Sequence, residues 1–155
     1  MKKLLFIPLF LFFFVNTSNA QEPSKWTSEN SFIEWNIGIA FIEDFGIPFP
    51  GTSVLWGKTF INKNDFIFEY EAGLAFPSLV TAKIGIGKQF NDTKVTFGVR
   101  PLPFHLYTQA SFSLAENGYW IASLEVNPLG TKSEISFGSL AILNFGYRWD
   151  LDRKD

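Results

Sequence analysis

The sequence contains no cysteine. Such a chain forms no disulfides and offers no thiol for lipid attachment at a leader cleavage site. Histidine occurs once, at position 105, and one histidine among dispersed carboxylates does not make a transition-metal site. There is no phosphate-binding loop either, because "GIGKQF" (85–90) lacks the required spacing and a following helix. Dense basic runs are missing too. The chain has 13 Lys and Arg, including Lys2 and Lys3, against 15 Asp and Glu, a balance that argues against nucleic acid as a partner. Finally, beyond the first twenty residues no segment sustains an apolar stripe of helical period over ten or more residues.

The long apolar run lies at the start. Lys2 and Lys3 precede Leu4 to Val15, and the polar "NTSNA" follows, with Ser18 and Ala20 supplying small residues for a leader peptidase. This pattern predicts a signal peptide over residues 1–20, its apolar part too short to span a bilayer as a helix. The remainder is one domain on length. Its expected divisions are a polar tail over 21–30, a folded body over 31–149 and a charged tail over 150–155.

The body alternates with a period of two. Between turn signals it predicts eight strands, at about 31–43, 52–62, 65–76, 79–90, 94–101, 104–114, 119–127 and 134–149. In "FIFEYEAGLAF", Phe66, Phe68, Tyr70, Leu74 and Phe76 share one face, while Glu69, Glu71, Gly73 and Ala75 share the other. The first, fourth, fifth and sixth strands alternate as clearly, and the seventh more softly. In the eighth, Leu140 and Ile142 break the pattern. The second strand has two possible apolar faces, Leu55 and Ile61 or Val54, Trp56 and Phe60. Lys58 shares the latter parity, and because a lysine against mid-membrane lipid is costly, the balance favours that parity facing inward.

Two features indicate what meets the aromatic face. The polar face is crowded with small residues such as Gly38, Ala40, Gly73, Gly85 and Gly98, which suits the narrow interior of an eight-stranded barrel. Its charges also nearly balance: Glu34, Glu69, Glu71 and Glu125 against Lys83, Arg100 and Arg148, with Lys58 a candidate fourth base. Buried charges need partners, so an interior ion network is expected. The apolar face carries almost no charge over strands long enough to cross a bilayer at a tilt, Lys88 near a strand end excepted. The predicted fold is therefore all-β, an eight-stranded antiparallel up-and-down transmembrane barrel with a filled polar interior. Pro48, Pro50, Pro77, Pro101, Pro103 and Pro128 all fall at one end of such a barrel. The tight turns "NKND", "NDT" and "AENG" fall at the other, with both termini.

In these features the chain resembles the small eight-stranded outer-membrane β-barrels of the OmpA/OmpX type, over about Ser31 to Trp149. The leader ending "NTSNA" before Gln21 resembles those of Bacteroidota proteins. "LNFGYRW", Leu143 to Trp149, resembles the aromatic-alternating last strand that barrel-insertion machinery recognises, although here the chain continues through "DLDRKD". The resemblance implies residence in the cell outer membrane of a Gram-negative organism, with the tight turns periplasmic. The partners it implies are outer-membrane lipids and the insertion machinery.

Candidate chemistry is sparse. Some barrels of this membrane are lipid A deacylases, which use a lipid-facing His and Ser two residues apart. Here the residue two after His105 is Tyr107, and parity turns His105 inward as a polar filler near the proline-rich rim. Glu69 and Glu71 are two apart on one strand, where Lys83 or Arg100 neutralises them, so pairing outweighs acid/base work. The reading is a non-enzymatic membrane barrel without catalytic, cofactor or metal residues, structural or surface-interacting, with Phe45 and Phe49 in "EDFGIPFPG" as outer-rim contacts. The alternatives are a lipid-modifying membrane enzyme and a soluble lipocalin-like barrel that binds an apolar ligand.

Overall fold

The computed structural model describes residues 26–42, 48–115, 118–129 and 139–152. The expected leader, residues 21–25 of the expected tail, Phe45 and the expected start of the eighth strand at 134–138 lie outside these residues. Eight strands follow one another: β1 (Trp26–Ile42), β2 (Pro48–Asn62), β3 (Phe66–Phe76), β4 (Leu79–Phe90), β5 (Thr93–Leu102), β6 (His105–Ala115), β7 (Gly118–Val126) and β8 (Ser139–Asp150). Each pairs antiparallel with the next, and β8 pairs with β1, giving a closed up-and-down barrel. Closure leaves no edge strand.

Several boundaries differ from expectation: β2 begins at Pro48, four residues before the expected 52, and the ends of the barrel's first and last strands extend further. β1 begins at Trp26, so residues 26–30 of the expected polar tail are strand, with Glu29 opposite Phe60 and Asn30 opposite Thr59. At the other end pairing reaches Asp150, which faces Phe32 across the closing seam. The Leu151 amide donates to the Ser31 carbonyl at 2.8 Å, and the Ser31 amide donates to Asp152 Oδ2 at 2.5 Å. Hydrogen bonds from Ser31 hold the Asp152 carboxyl below its ordinary pKa. The start of the charged tail is thus part of the seam.

The tight turns follow from residue chemistry. Asp65 and Asn91 adopt positive φ, 61° and 51°, a region Asp and Asn tolerate better than most residues. Asn62 Oδ1 accepts from the amides of Asn64 and Phe66, at 2.8 and 3.0 Å, closing the β2–β3 turn.

Alternation along the strands sends polar and small side chains inward. Among the described residues, eighteen polar or charged residues are buried against seven hydrophobic ones, while twenty-nine large hydrophobics are exposed. That inverts the usual distribution of a water-soluble domain. The second strand is corrected by this observation. Leu55 is fully buried, Trp56 is 54% exposed, and Lys58 points outward. Outside, Lys58 Nζ meets Glu29 Oε1 at 2.5 Å, so the cation expected to be costly on that face has a counter-ion on the neighbouring strand. The irregularity of the last strand is a bulge. Ile42 pairs with Ser139 but Phe41 with Ala141, which turns Leu140 outward and leaves Ile142 inward.

Small inward residues make room for large ones. A Cβ at Gly85 would run into the Tyr107 hydroxyl, and one at Gly57 into the Phe32 ring. Gly85→Ala is therefore expected to lower stability by about 1–3 kcal/mol through overpacking, and Tyr107→Phe in the same chain should recover part of it. Urea titration of the single and double variants measures both. An unchanged midpoint for Gly85→Ala would show that the lumen is looser than this packing implies.

Candidate functional site in the barrel lumen

All eight residues expected in the interior network are inward and at most 7% exposed. Register brings them together. Arg148 on β8 lies opposite Glu34 on β1, and Lys83 on β4 opposite Glu71 on β3. Arg148 is the hub. Its Nε and Nη2 donate to Glu34 Oε2 at 2.8 and 2.6 Å, and Nη1 donates to Glu69 Oε2 at 2.6 Å. Nη2 also reaches Glu69 Oε1 at 3.0 Å and Glu71 Oε2 at 3.3 Å. Its Cζ stands 3.6 Å from the centre of the Phe32 ring, so a cation–π contact covers a guanidinium face.

From this hub the charges continue toward the proline-bearing end. Lys83 Nζ lies 3.1 Å from Glu71 Oε1 and 3.6 Å from Glu125 Oε1. Glu125 Oε2 accepts from Arg100 Nη1 at 2.7 Å, and Glu125 Oε1 from Asn144 Nδ2 at 2.8 Å. Two further acceptances fix the acids: Thr59 donates to Glu69, and Asn36 donates to Glu34, each at 2.7 Å. Four buried carboxylates are thus strung together by Arg148, Lys83 and Arg100, as burial of charge requires.

The fourth base is Lys94, not Lys58. Lys94 is 3% exposed, with Nζ 3.9 Å from the centre of the Tyr119 ring. Its signal was available, since it shares the parity of Thr96, Gly98 and Arg100, but it stood at the first position of the expected strand. Gln109, Tyr107 and Phe32 are likewise buried lumen residues outside the expected network.

His105 is fully buried near the proline-bearing end. Its Nδ1 is 3.1 Å from the Pro103 carbonyl and its Nε2 3.3 Å from Ser139 Oγ. Phe49, expected as an outer-rim contact, belongs to β2 and shares the inward parity of Gly51, Ser53 and Leu55. It is half-buried, 6.2 Å from the Phe76 ring centre to centre.

The interior is not filled throughout. In the half near the tight turns, Phe32, Leu55, Ile67 and Ile121 pack around the Arg148 cluster, each at most 1% exposed. In the other half the inward positions are short: Gly38, Ala40, Gly51, Ser53 and Ala75 border a cavity of 320 Å³, with Lys83, Arg100 and Glu125 at its polar end. An expected solid core is here a core below and a chamber above.

No family model and no curated protein matches the sequence. A solution NMR structure of the de novo designed TMB2.3 is similar to the chain, with a TM-score of 0.49 and 11% identity over 82% of this chain and 99% of that one. The barrel assignment itself rests on the closed pairing of the eight strands.

Proposed function

We propose that the chain is a non-enzymatic integral protein of the cell outer membrane, a barrel with a structural or surface-interaction role. The observation that carries this reading is the outer wall. Leu74, Phe76, Phe97 and Phe145 are 57–63% exposed there, and along the described strands the outward charges are Glu29, Lys58 and Lys88, all in strand halves next to the tight turns. Strands of 9 to 12 residues over β3–β8 match the span of a tilted transmembrane strand. Aromatic clusters add support: Trp26 with Phe60, Phe66 and Phe68, and Trp120 with Phe145 and Tyr147, which is near Trp149. Both lie toward the tight turns, where an aromatic girdle would sit. On this reading lipids cover the wall, and the alternating outward face of β8 is what the insertion machinery engages.

A lipocalin-like barrel would carry its aromatic parity inside, and a lipid-modifying enzyme would expose its catalytic groups to lipid. Here His105 is turned into the lumen with both ring nitrogens against structural partners. The test is extraction from cells that express the chain. It should fractionate with the outer membrane, require detergent, and migrate differently on gels before and after boiling. Recovery as a freely soluble periplasmic monomer would overturn the reading.

A further inference from the structure

The lumen chamber combines apolar walls with a cationic end that retains unused donor capacity. Phe49, Ala75 and Ile142 line it together with the small residues, and Arg100, Lys83 and Glu125 close the polar end. At that end the acceptor is spent. Glu125 is completely buried, one oxygen held by Arg100 and the other by Asn144 with Lys83 beside it. The donor is not spent. Arg100 gives Nη1 to Glu125 and Nε, at 3.4 Å, to the Leu102 carbonyl, while its Nη2 has no hydrogen-bond partner among the described residues. Among the described lining residues a cation would find no free carboxylate, whereas an anion would find a guanidinium edge in an apolar setting, where a charge-assisted hydrogen bond is strong.

We propose that this chamber is a binding site for a small monoanionic amphiphile, its carboxylate on Arg100 Nη2 and its apolar part against Phe49, Ala75 and Ile142. A volume of 320 Å³ is at the lower end of the range of small-molecule pockets. At ~30 Å³ per water-sized unit it accommodates roughly ten non-hydrogen atoms, the size of a medium-chain carboxylate. The site lies inside the barrel, so its occupancy is independent of what covers the outer wall.

The test uses octanoate, with octanol and octylammonium as neutral and cationic comparators. Each is titrated into isotopically labelled, refolded protein in phosphatidylcholine bilayer discs. The readouts are the amide shifts of Gly38, Gly51 and Ser53 and the Arg100 Nε–H resonance. Octanoate should saturate these shifts and bind about tenfold or more tighter than octanol, the worth of one charge-assisted hydrogen bond. Octylammonium should produce no saturable shift. Ala40→Phe fills the chamber without touching the charge network and should abolish binding. Arg100→Met should bring octanoate down to the level of octanol. Should Arg100→Met not fold, the ranking of the three probes on the native chain and the Ala40→Phe result still decide. Shifts that do not saturate, that persist unchanged in Ala40→Phe, or that are as strong with octanol would overturn the proposal.

Discussion

Arg148→Met is expected to cost the barrel about 3–5 kcal/mol, the loss that follows when one member of a buried ionic cluster is removed. Methionine keeps much of the side-chain volume, so the effect reports charge and hydrogen bonding more than packing. Three carboxylates lose their common partner: Glu34 and Glu69 at 2.6 Å, and Glu71 at 3.3 Å. None has water to replace it, since each is at most 3% exposed. Neutralising acids in the same chain, as Glu34→Gln with Glu69→Gln, should recover part of the loss, because the penalty lies in the charges left behind. Urea titration of refolded protein measures each step. Ile84→Val on the outer wall, where Ile84 is 48% exposed, provides the reference. If Arg148→Met unfolds at the same urea concentration as Ile84→Val, the hub is not structural.

The second large effect separates lipid from water on the outer wall. Phe97 stands mid-strand in β5 at 57% exposure, and Phe90 ends β4 at the same exposure. A lysine at the bilayer midplane costs roughly 2–4 kcal/mol, falling to about 0–1 near the interface. Phe97→Lys should therefore destabilise strongly in vesicles, and Phe90→Lys, beside Lys88, only slightly. Water makes no such distinction by depth. Equal unfolding midpoints for the two variants in lipid would contradict a membrane-spanning wall.

Much of this architecture is legible in alternation alone. Glu34, Glu69, Glu71, Lys83, Arg100, Glu125 and Arg148 all occupy the face that parity assigns them, because a strand's side chains alternate whatever its neighbours do. What parity does not contain is the neighbour. The cost of Lys58 against lipid argues for the inward face, and the residue that relieves that cost, Glu29, lies on another strand in a stretch whose polar composition reads as a tail. The bulge at Leu140 breaks the period of two locally, so no single phase describes β8. The chamber is hidden for a different reason. Its volume is set by which short residues share one level of the barrel, Gly38 opposite Gly51 and Ser53 opposite Ala75, and level is a property of register between strands, not of any one strand.

The position of the hub on the last strand has a kinetic consequence. Every seam but β8–β1 joins strands adjacent in sequence, so those hairpins can form early with short loop closures. Arg148 reaches Glu34 and Glu69 only when β8 arrives at β1. Until then Glu34 and Glu69 have only the neutral donors Asn36 and Thr59 from their own or the adjacent strand and lack their guanidinium partner. Their neutralisation by Arg148 thus coincides with closure, when the lumen takes them out of water. That coupling disfavours half-closed sheets with charge already buried, and makes the final zipping of β8 against β1 the event that commits the chain.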